Sequence, residues 1–390
     1  MRRADRALSF INACGGARVR VDGSRIAELD APPRADDLCI DLRGDRLLPG
    51  LINAHDHLQL NGLPRLKYRS RYVRASEWID DIGPRLGVDP MFVANGAVPR
   101  EDRLLLGGVK NLLSGVTTVA HHDPLYPSLC RDDFPVRVVN RYGWSHSLSL
   151  DGAEAVRLSF RQTPSQWPWI IHAAEGIDDA AGAEFDQLDA LGCLRSNTVL
   201  VHGLALSSRQ QERLVEAGAA LVWCPGSNLH LFERTPDIRF LFAHRRVALG
   251  SDSRVSGGRD LLAELDAARQ VSQLDEAALE SLVTDRAAEV LSLGDRGAIR
   301  PGALADLVVL PEGLALSRAT RADIRLVLID GVPRYADPDL ARSFGGAADL
   351  AEVRVDGRRK YLSRSLVAAL SAAQIHEPGL DVLHELAVRT

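Results

Sequence analysis

Residues 49–57 read PGLINAHDH, in which a short apolar segment runs directly into two histidines separated by one residue. Segment 51–54 has the composition of a buried strand, and residues two apart in an extended chain point to the same side. His55 and His57 are therefore expected to face one point, with Asp56 directed away from it. Neutral imidazoles are good ligands for zinc and iron. Two surface histidines in a loop would give the same pattern, so the pair needs support from the rest of the chain.

The surrounding region, residues 49–296, alternates short apolar segments with amphipathic ones. Strands are predicted at 51–54, 116–121, 136–140, 169–172, 199–202, 219–223 and 247–250. Helices are predicted between them, for example at 100–114, 180–191, 207–217 and 261–271. This alternation predicts an α/β fold, a (β/α)8 barrel of the TIM type. Only seven strands are clear. An eighth fits at 145–149 with no helix before it, so the barrel is expected to be irregular around its third and fourth strands.

The regions at either end of the chain, residues 1–48 and 297–362, contain short apolar segments broken by Gly, Pro and Asp. They predict brief strands at 17–21, 25–29, 38–42, 307–310, 324–329 and 352–355. Asp-Gly pairs at 330–331 and 356–357 are strong hairpin signals. Each region is small for a core of its own, so we expect the two to form one small β-sandwich domain. Residues 363–390 predict a helical C-terminal tail, which core packing or a subunit contact would explain equally well.

The composition excludes several classes of protein. The chain has 390 residues, of which 25% are charged, and a formal net charge of −5. This charge is too weak for nucleic acid or an anionic membrane to be the main partner, and no apolar run is long enough to span a bilayer. Five scattered cysteines without a Cys-x-x-Cys pair argue against a disulfide framework and a thiolate zinc site. No signal peptide is evident, so we expect a cytoplasmic protein. We further expect it to act on a small molecule and to form a homo-oligomer.

Three further predicted strands end in residues that can bind a metal or move protons. His172 ends one strand, with Glu175 just beyond it; His202 ends the next, and Asp252 follows the last. Each residue taken singly has an ordinary structural explanation, which for Asp252 is the N-cap of the following helix. The carboxyl ends of barrel strands, however, meet at one face. Four strands that end in this way therefore predict a common metal site.

The ordered set of motifs resembles the amidohydrolase superfamily, in particular its single-metal branch with cytosine, guanine and adenosine-derivative deaminases and imidazolonepropionase. The resemblance rests on residues 49–57, 172–175, 202 and 250–252, on WCPGSNL at 223–229 and on GAIRPGALADL at 297–307. The segment 223–229 is similar to the Pro-x-Ser-Asn segment of that branch, and 297–307 is similar to the return into its β-sandwich. The resemblance covers nearly the whole chain, but the short stretch between 136 and 172 departs from the family pattern and leaves the substrate open.

The resemblance implies one divalent ion, Zn²⁺ with Fe²⁺ or Mn²⁺ as alternatives, bound by His55, His57, His172 and Asp252. It implies that Asp252 accepts the proton of an attacking water and that Glu175 passes a proton to the leaving nitrogen. His202 would then orient the water or polarise the substrate. No lysine suitable for carbamylation is evident on the fourth strand, which disfavours the two-metal branch.

Substrate contacts are expected from the loop after the first strand and from other loops at the same face. The candidates are His122, Trp144, His146, Asn228 and Arg69. Of the adjacent residues His121 and His122, we place His122 at the barrel mouth. Asn228 has the alternative role of fixing a turn, and the loop around Arg69 has those of a solvated cationic loop or a subunit contact.

Two reactions use the predicted apparatus equally well. An aminohydrolase (a deaminase) would release ammonia from a small nitrogen heterocycle or a cyclic amidine, whereas a cyclic-amide hydrolase like imidazolonepropionase would open a ring. A non-catalytic binding protein on a decayed barrel would lack a ligand, yet all four are present. We therefore expect a metal-dependent hydrolase of carbon–nitrogen bonds, with the deaminase as the first hypothesis.

Overall fold

The computed structural model of the protein describes residues 6–345 and 349–383. Its strands are β1 (Leu8–Ile11), β2 (Val19–Asp22), β3 (Arg25–Leu29), β4 (Leu38–Asp41), β5 (Arg46–Pro49), β6 (Leu51–Asp56), β7 (Val116–His121), β8 (Arg137–Val138), β9 (Gly143–Ser145), β10 (Trp169–Ala173), β11 (Thr198–His202), β12 (Ala220–Trp223), β13 (Val247–Leu249), β14 (Leu307–Leu310), β15 (Leu326–Ile329), β16 (Val332–Ala336), β17 (Leu350–Val355), β18 (Arg358–Ser363) and β19 (Leu380–Val382). Its helices are α1 (Ala75–Ile82), α2 (Pro90–Ala97), α3 (Arg100–Leu113), α4 (Leu148–Asp151), α5 (Ala153–Gln162), α6 (Asp179–Ala190), α7 (Ser208–Glu216), α8 (Pro225–Phe232), α9 (Arg239–Ala243), α10 (Leu261–Val271), α11 (Glu276–Ser281), α12 (Asp285–Val290), α13 (Pro338–Ser343) and α14 (Arg364–Ala373). Among these residues, no helix has the length and apolar character that a membrane crossing requires.

The middle of the chain forms two parallel sheets with helices between most of their strands. One sheet contains β6, β7 and β8, and the other has the order β13-β12-β11-β10-β9. Within residues 6–345 and 349–383, no ladder joins β6 to β13 or β8 to β9. Strand β13 nevertheless lies beside β6, and the backbone N–H of Asp252 donates to the carbonyl of His55 at 3.0 Å. The α/β class is therefore confirmed, with eight parallel strands in this region.

Most of the predicted elements in the middle region are confirmed within one or two residues. The helix α3 ends before Gly115, whose φ of +83° suits a residue without a side chain and stops the helix. Strands β8 and β9 follow one another without a helix, as predicted. The eighth strand was placed too late at 145–149, because the Ser147 side chain accepts a hydrogen bond from the Leu150 backbone at 3.2 Å and begins α4 there.

Both ends of the chain contribute to two further sheets. Strands β1 to β4 form one in the order β3-β2-β1-β4, and β5 joins the C-terminal strands in the order β19-β17-β18-β16-β15-β14-β5. Phe10 and Ile40 of the first sheet and Val309 and Leu328 of the second belong to one buried apolar cluster. The sheets therefore share a core that neither end of the chain would fill alone.

The two predicted hairpins are confirmed by the backbone of their turns. Asp330 and Gly331 have φ of +56° and +71°, and Asp356 and Gly357 have +49° and +79°. A two-residue turn of this kind requires positive φ at both positions, which Asp-Gly adopts readily. The turns join β15 to β16 and β17 to β18, as the sequence predicted.

The C-terminal tail is helical over a shorter span than predicted. Helix α14 ends at Ala373, the next residue, Gln374, has a φ of +54°, and β19 then pairs antiparallel with β17. The predicted helix is therefore wrong for residues 374–383, while 384–390 lie outside the described residues. Because β19 has only three residues, it was too short to be seen as a sequence pattern.

A buried ion cluster fastens this tail to the middle of the chain. Glu377, which is 1% exposed, accepts hydrogen bonds from Arg254 and from Arg321. Arg321 also donates to Asp260 at 2.6 Å, and Arg254 lies two residues after Asp252. The loop that follows β13 is therefore held by a carboxylate from the C-terminal tail.

Replacing Glu377 by alanine would remove the carboxylate that the buried guanidinium groups of Arg254 and Arg321 share. Loss of one partner from a buried charge cluster costs about 3–5 kcal/mol, and we expect the free energy of unfolding to fall by that amount. Urea unfolding measures the change. Asp349→Ala removes the partner of Arg364 from a pair whose side chains are 77% and 57% exposed, and should change stability little. Equal effects of the two substitutions would contradict the prediction.

Candidate metal centre

The carboxyl ends of β6, β10 and β13 bring the four predicted metal ligands together. The Nε2 atoms of His57 and His172 lie 3.3 Å apart, and His55 Nε2 lies 3.7 Å from Asp252 Oδ1. Zinc holds nitrogen and oxygen ligands at about 2.0–2.2 Å in a tetrahedron, which places neighbouring ligand atoms roughly 3.4 Å apart. These two spacings suit neighbouring ligands of one ion. The donor atoms fall in two overlapping groups, His57 and His172 with His55 and His122, and Asp252 with His55 and His202.

His55 provides the strongest sign of a missing partner. Its side chain is fully buried, and neither ring nitrogen has a hydrogen-bond partner. Buried polar groups in proteins are almost always hydrogen-bonded, so an orphaned imidazole in the middle of other ligand atoms needs an explanation. A divalent ion provides one, and a donor set of three imidazoles and a carboxylate suits such an ion.

Outer partners fix which nitrogen of His57 and His172 faces the centre. His57 Nδ1 lies 3.1 Å from Asp123 Oδ2, and His172 Nδ1 lies 2.8 Å from the backbone carbonyl of His146. A proton on each Nδ1 leaves the lone pair of Nε2 free for a metal, the arrangement typical of metal-bound histidines. Asp123 was missed in the sequence, although it directly follows His122 and the strand β7.

His202 lies beside the centre and is oriented by Asn228. Its Nδ1 is 2.9 Å from Asn228 Oδ1, while its Nε2 lies 3.6 Å from Glu175 Oε1 and 3.9 Å from Asp252 Oδ2. Burial lowers the pKa of His202, so its ring is neutral at pH 7. Because Nδ1 donates to the amide oxygen, Nε2 presents a hydrogen-bond acceptor toward the centre.

The carboxylate of Asp252 is held by two hydroxyls. Ser227 and Ser256 donate to Oδ2 at 2.9 and 2.7 Å, and Oδ1, on the side of His55, accepts from the Ser253 backbone N–H at 2.6 Å. Burial alone would favour the protonated acid, but the nearby imidazoles, first of all His55 at 3.7 Å, outweigh it and hold the pKa of Asp252 well below its usual range. Asp252 is therefore an anion at neutral pH, as a metal ligand must be.

Two other residues of the centre have strongly shifted pKa values. Burial raises the pKa of Glu175 well above its usual value, and the charges of Asp252 and Glu184 act in the same direction. Burial opposes a charge on His57 as well, but the hydrogen bond and charge of Asp123 raise the pKa of His57 to about 9. Glu175 can therefore carry a proton at pH 7, and a metal has to compete with a proton for His57.

His122 lies against the centre but is badly placed to share a metal with His172. Nitrogen atoms of His55, His57, His122 and His172 all lie within 4.8 Å of one another. The rings of His122 and His172, however, stack at 4.3 Å between centroids and only 20° between planes. One ion cannot lie in the planes of two rings that overlap face to face. His122 instead bonds through Nε2 to the Ser145 carbonyl at 2.8 Å and supports the ring of His172.

A cavity of about 390 Å³ opens beside the centre, a size typical of small-molecule sites. The proposed ligands His57, His172 and Asp252 line it, together with His202 and Glu175. Its apolar wall contains Leu60, Trp78, Ile79, Leu150 and Leu231, and its polar wall contains Gln59, Arg74, Asp123, His146, Ser147, Ser149 and Glu184. A ligand of this size would therefore meet both an apolar face and several hydrogen-bonding groups.

Among the predicted substrate contacts, His146 lines this cavity and the other four do not. Arg69 is bound by Asp81 at 2.8 Å, so its guanidinium is occupied elsewhere. His122 lies behind His172, Trp144 packs edge-on against His146 and His122, and Asn228 is buried behind His202. These side chains support the ring-bearing residues of the centre.

Comparisons with known proteins agree with this site. A model of the amidohydrolase family matches residues 99–335, more than half of the chain. A protein from Halobacterium salinarum named 5-methylthioadenosine/S-adenosylhomocysteine deaminase is 27% identical over 337 residues, which cover 74% of this chain and 78% of that protein. The protein of the same name from Pyrococcus furiosus is 25% identical over 387 residues, with 80% and 89% covered.

Two solved structures show the same fold. An adenosine deaminase from Xanthomonas campestris with bound zinc superposes with a TM-score of 0.67 at 20% identity, covering 88% of this chain and 97% of that one. Atrazine chlorohydrolase from Arthrobacter aurescens TC1 with bound zinc gives 0.68 at 18% identity, with 85% and 94% covered.

The family match and these relatives confirm the prediction of a metal-dependent hydrolase of carbon–nitrogen bonds, and the relatives support its deaminase form. The predicted resemblance is confirmed as well: this chain belongs to the amidohydrolase family.

Proposed function

We propose that this protein is a zinc-dependent deaminase that removes the amino group of a purine nucleoside as ammonia. The metal would be bound by His55, His57, His172 and Asp252. The buried, unpartnered nitrogens of His55 beside three other ligand atoms carry the proposal for the metal. The two archaeal relatives support the reaction, and the zinc in the related solved structures supports the choice of metal.

The proposed chemistry uses the arrangement of residues around the cavity. A divalent metal supplies a water that is acidic enough to become a nucleophile at neutral pH. The neutral His202 would present Nε2 as a hydrogen-bond acceptor that orients a water. Asp252, whose Oδ1 also accepts from the Ser253 backbone N–H, would take the proton of that water. Glu175, whose partly buried position raises its pKa, would give a proton to the nitrogen that leaves.

The cavity fits a nucleoside by size and by lining. Trp78 and Leu231 on the apolar wall would contact the purine ring. Asp123 and Glu184 on the polar wall offer carboxylate oxygens that accept hydrogen bonds from sugar hydroxyls. Glu184 is itself fixed, because it accepts a hydrogen bond from the Ala174 backbone at 2.9 Å. The substrate class proposed here is therefore an adenosine-type nucleoside, including those with a thioether at the 5′ carbon.

The same proposal includes the domain organisation. Residues 49–296 would form the (β/α)8 barrel, irregular at β8 and β9, which meet without a ladder among the described residues. Residues 1–48 and 297–362 would form the β-sandwich around their shared apolar cluster. Strand β5 extends this N-terminal part to Pro49, one residue beyond the predicted boundary.

A screen of adenosine, 5′-thioether adenosines, guanine and cytosine derivatives with an ammonia-coupled assay tests the reaction. We expect release of ammonia from at least one adenosine-type nucleoside, with a matching change in the purine absorbance. A substrate that turns over without ammonia would instead indicate a ring-opening amide hydrolase. Activity confined to free bases or pyrimidines would contradict the nucleoside class.

Metal analysis of the purified protein tests the ligand set. We expect about one equivalent of zinc, loss of activity after treatment with a chelator, and recovery when zinc is restored. His55→Ala should bind far less zinc, because it removes one of the four proposed ligands. His244→Ala serves as the control, since His244 is exposed and bonds only within its own helix turn. Equal zinc content in both variants would count against the site.

The substitution Glu175→Gln keeps the shape of the side chain but removes its acid. We expect kcat to fall by about 10²–10⁴-fold, the usual contribution of a proton-transfer group, with zinc content unchanged. Glu212→Gln on the exposed face of α7 is the matched control and should retain activity. A Glu175 variant within a few-fold of wild type would remove it from the mechanism.

A further inference from the structure

A lysine lies fully buried next to the proposed metal site. Lys110 on α3 has no exposed surface, and its Nζ lies 3.1 Å from Asp56 Oδ2 and 2.8 Å from Asn61 Oδ1. The same atom lies 3.3 Å from Ser251 Oγ and 3.2 Å from the backbone carbonyl of Asp252. An ammonium group has three N–H donors, and these four oxygens occupy all of them.

Asp56, the residue between His55 and His57, faces this lysine. Its carboxylate is buried and also accepts a hydrogen bond from Asn111 Nδ2 at 2.8 Å. Asp56 therefore points away from the metal, as the alternation of an extended strand predicts. Through Asp56, the lysine contacts the strand end that carries both histidines.

On the other side of the lysine lies the backbone of Asp252. This residue has a φ of +54°, a conformation that residues with a side chain rarely adopt. Its N–H donates to the His55 carbonyl at 3.0 Å, and its own carbonyl accepts from Lys110 and, at 2.9 Å, from Ser251 Oγ. The unusual conformation is thus held at both ends, and it sets the direction of the Asp252 side chain.

The lysine therefore contacts both sides of a gap in the hydrogen-bonded sheets. Strands β6 and β13, which carry His55 and lead to Asp252, share no ladder in the described part of the chain. Besides the bond from Asp252 to His55, the Ser251 N–H donates to Asn53 Oδ1 at 2.9 Å across this gap. Lys110 comes from a third element and bonds to Asp56 at the end of β6 and to Ser251 and Asp252 in the loop after β13.

We propose that Lys110 is a positioning residue of the metal site. It holds the Asp56 carboxylate at the end of β6 and the Asp252 carbonyl in the loop after β13, and so fixes the spacing between the proposed ligands His55 and Asp252. Lys110 does not line the cavity, so it acts through these two aspartates. The inference rests on the proposed metal site.

The substitution Lys110→Met removes the ammonium and keeps most of the chain length. We expect the zinc dissociation constant to rise by about 10–100-fold, the usual effect of losing an outer partner of a metal ligand. Competition with a chromophoric chelator measures it on folded protein. The visible spectrum of the cobalt-substituted protein should change as the ligands move, and kcat should fall while KM stays near the wild-type value.

The chain offers a matched control in Lys360. This lysine of β18 is 1% exposed and donates to the Ile324 carbonyl at 2.8 Å and to Asp337, outside the metal site. Lys360→Met should lower stability in a similar way and leave the zinc affinity of the folded protein unchanged. If Lys110→Met binds zinc as tightly as Lys360→Met does, the inference is overturned.

A double variant separates positioning from neutralisation of charge. If Lys110 only balances the charge of Asp56, then Asp56→Asn with Lys110→Met restores zinc affinity, and the inference fails. If Lys110 positions the Asp252 carbonyl, the double variant stays impaired.

Should Lys110→Met fail to fold, Ser251→Ala removes the other donor to that carbonyl. It should weaken zinc binding by a smaller factor, and an unchanged affinity would overturn the inference. Wild-type protein that binds no zinc at all would refute the proposed site itself, an outcome distinct from these.

Discussion

Strand β6 has to stay beside β13 although no ladder of hydrogen bonds joins them in the described chain. The ligands His55 and Asp252 lie on the two sides of this gap, so the spacing of their donor atoms depends on whatever holds the strands together. Buried polar side chains do this in place of backbone pairing, and Lys110 contributes a cation to them. A buried charge that loses its hydrogen-bond partners is costly. Movement of any one side chain in the cluster is therefore opposed by the bonds that its neighbours would lose. The metal geometry is in this sense a property of the cluster as much as of the ligands.

Each imidazole of the centre except His55 has an outer partner that sets its orientation. For His57 the partner is Asp123, for His172 it is a backbone carbonyl, and for His202 it is the amide of Asn228. The three partners differ in charge, and the pKa values differ with them: a carboxylate raises the pKa of His57, whereas burial lowers that of His202. Similar side chains around one cavity are thus suited to different tasks.

The residues proposed as ligands could be singled out from sequence because each lies at or just after the end of a buried strand, and parallel strands place such positions at one face. The outer partners were not, because their role depends on contacts between distant segments. Asp123 is 66 residues from His57, and Asn228 lies in a recognisable motif that says nothing of His202. Arg69 was misjudged for the same reason, since its partner Asp81 is set by a helix that follows the loop. Lys110 lies among the apolar positions of α3, where a lysine is ordinarily on the solvent side.

The bond between Glu377 and Arg254 has a consequence for the order in which the protein is assembled. Arg254 is two residues from Asp252, yet its carboxylate partner is made more than a hundred residues later in synthesis. A nascent chain with all of its metal ligands translated would still have this loop incompletely anchored. The loop would gain this anchor only once Glu377 has been translated and can bind Arg254. Tight metal binding would thus require a chain translated through its C-terminal region. A product that ends before residue 377 would have a less firmly held Asp252 and a lower metal affinity.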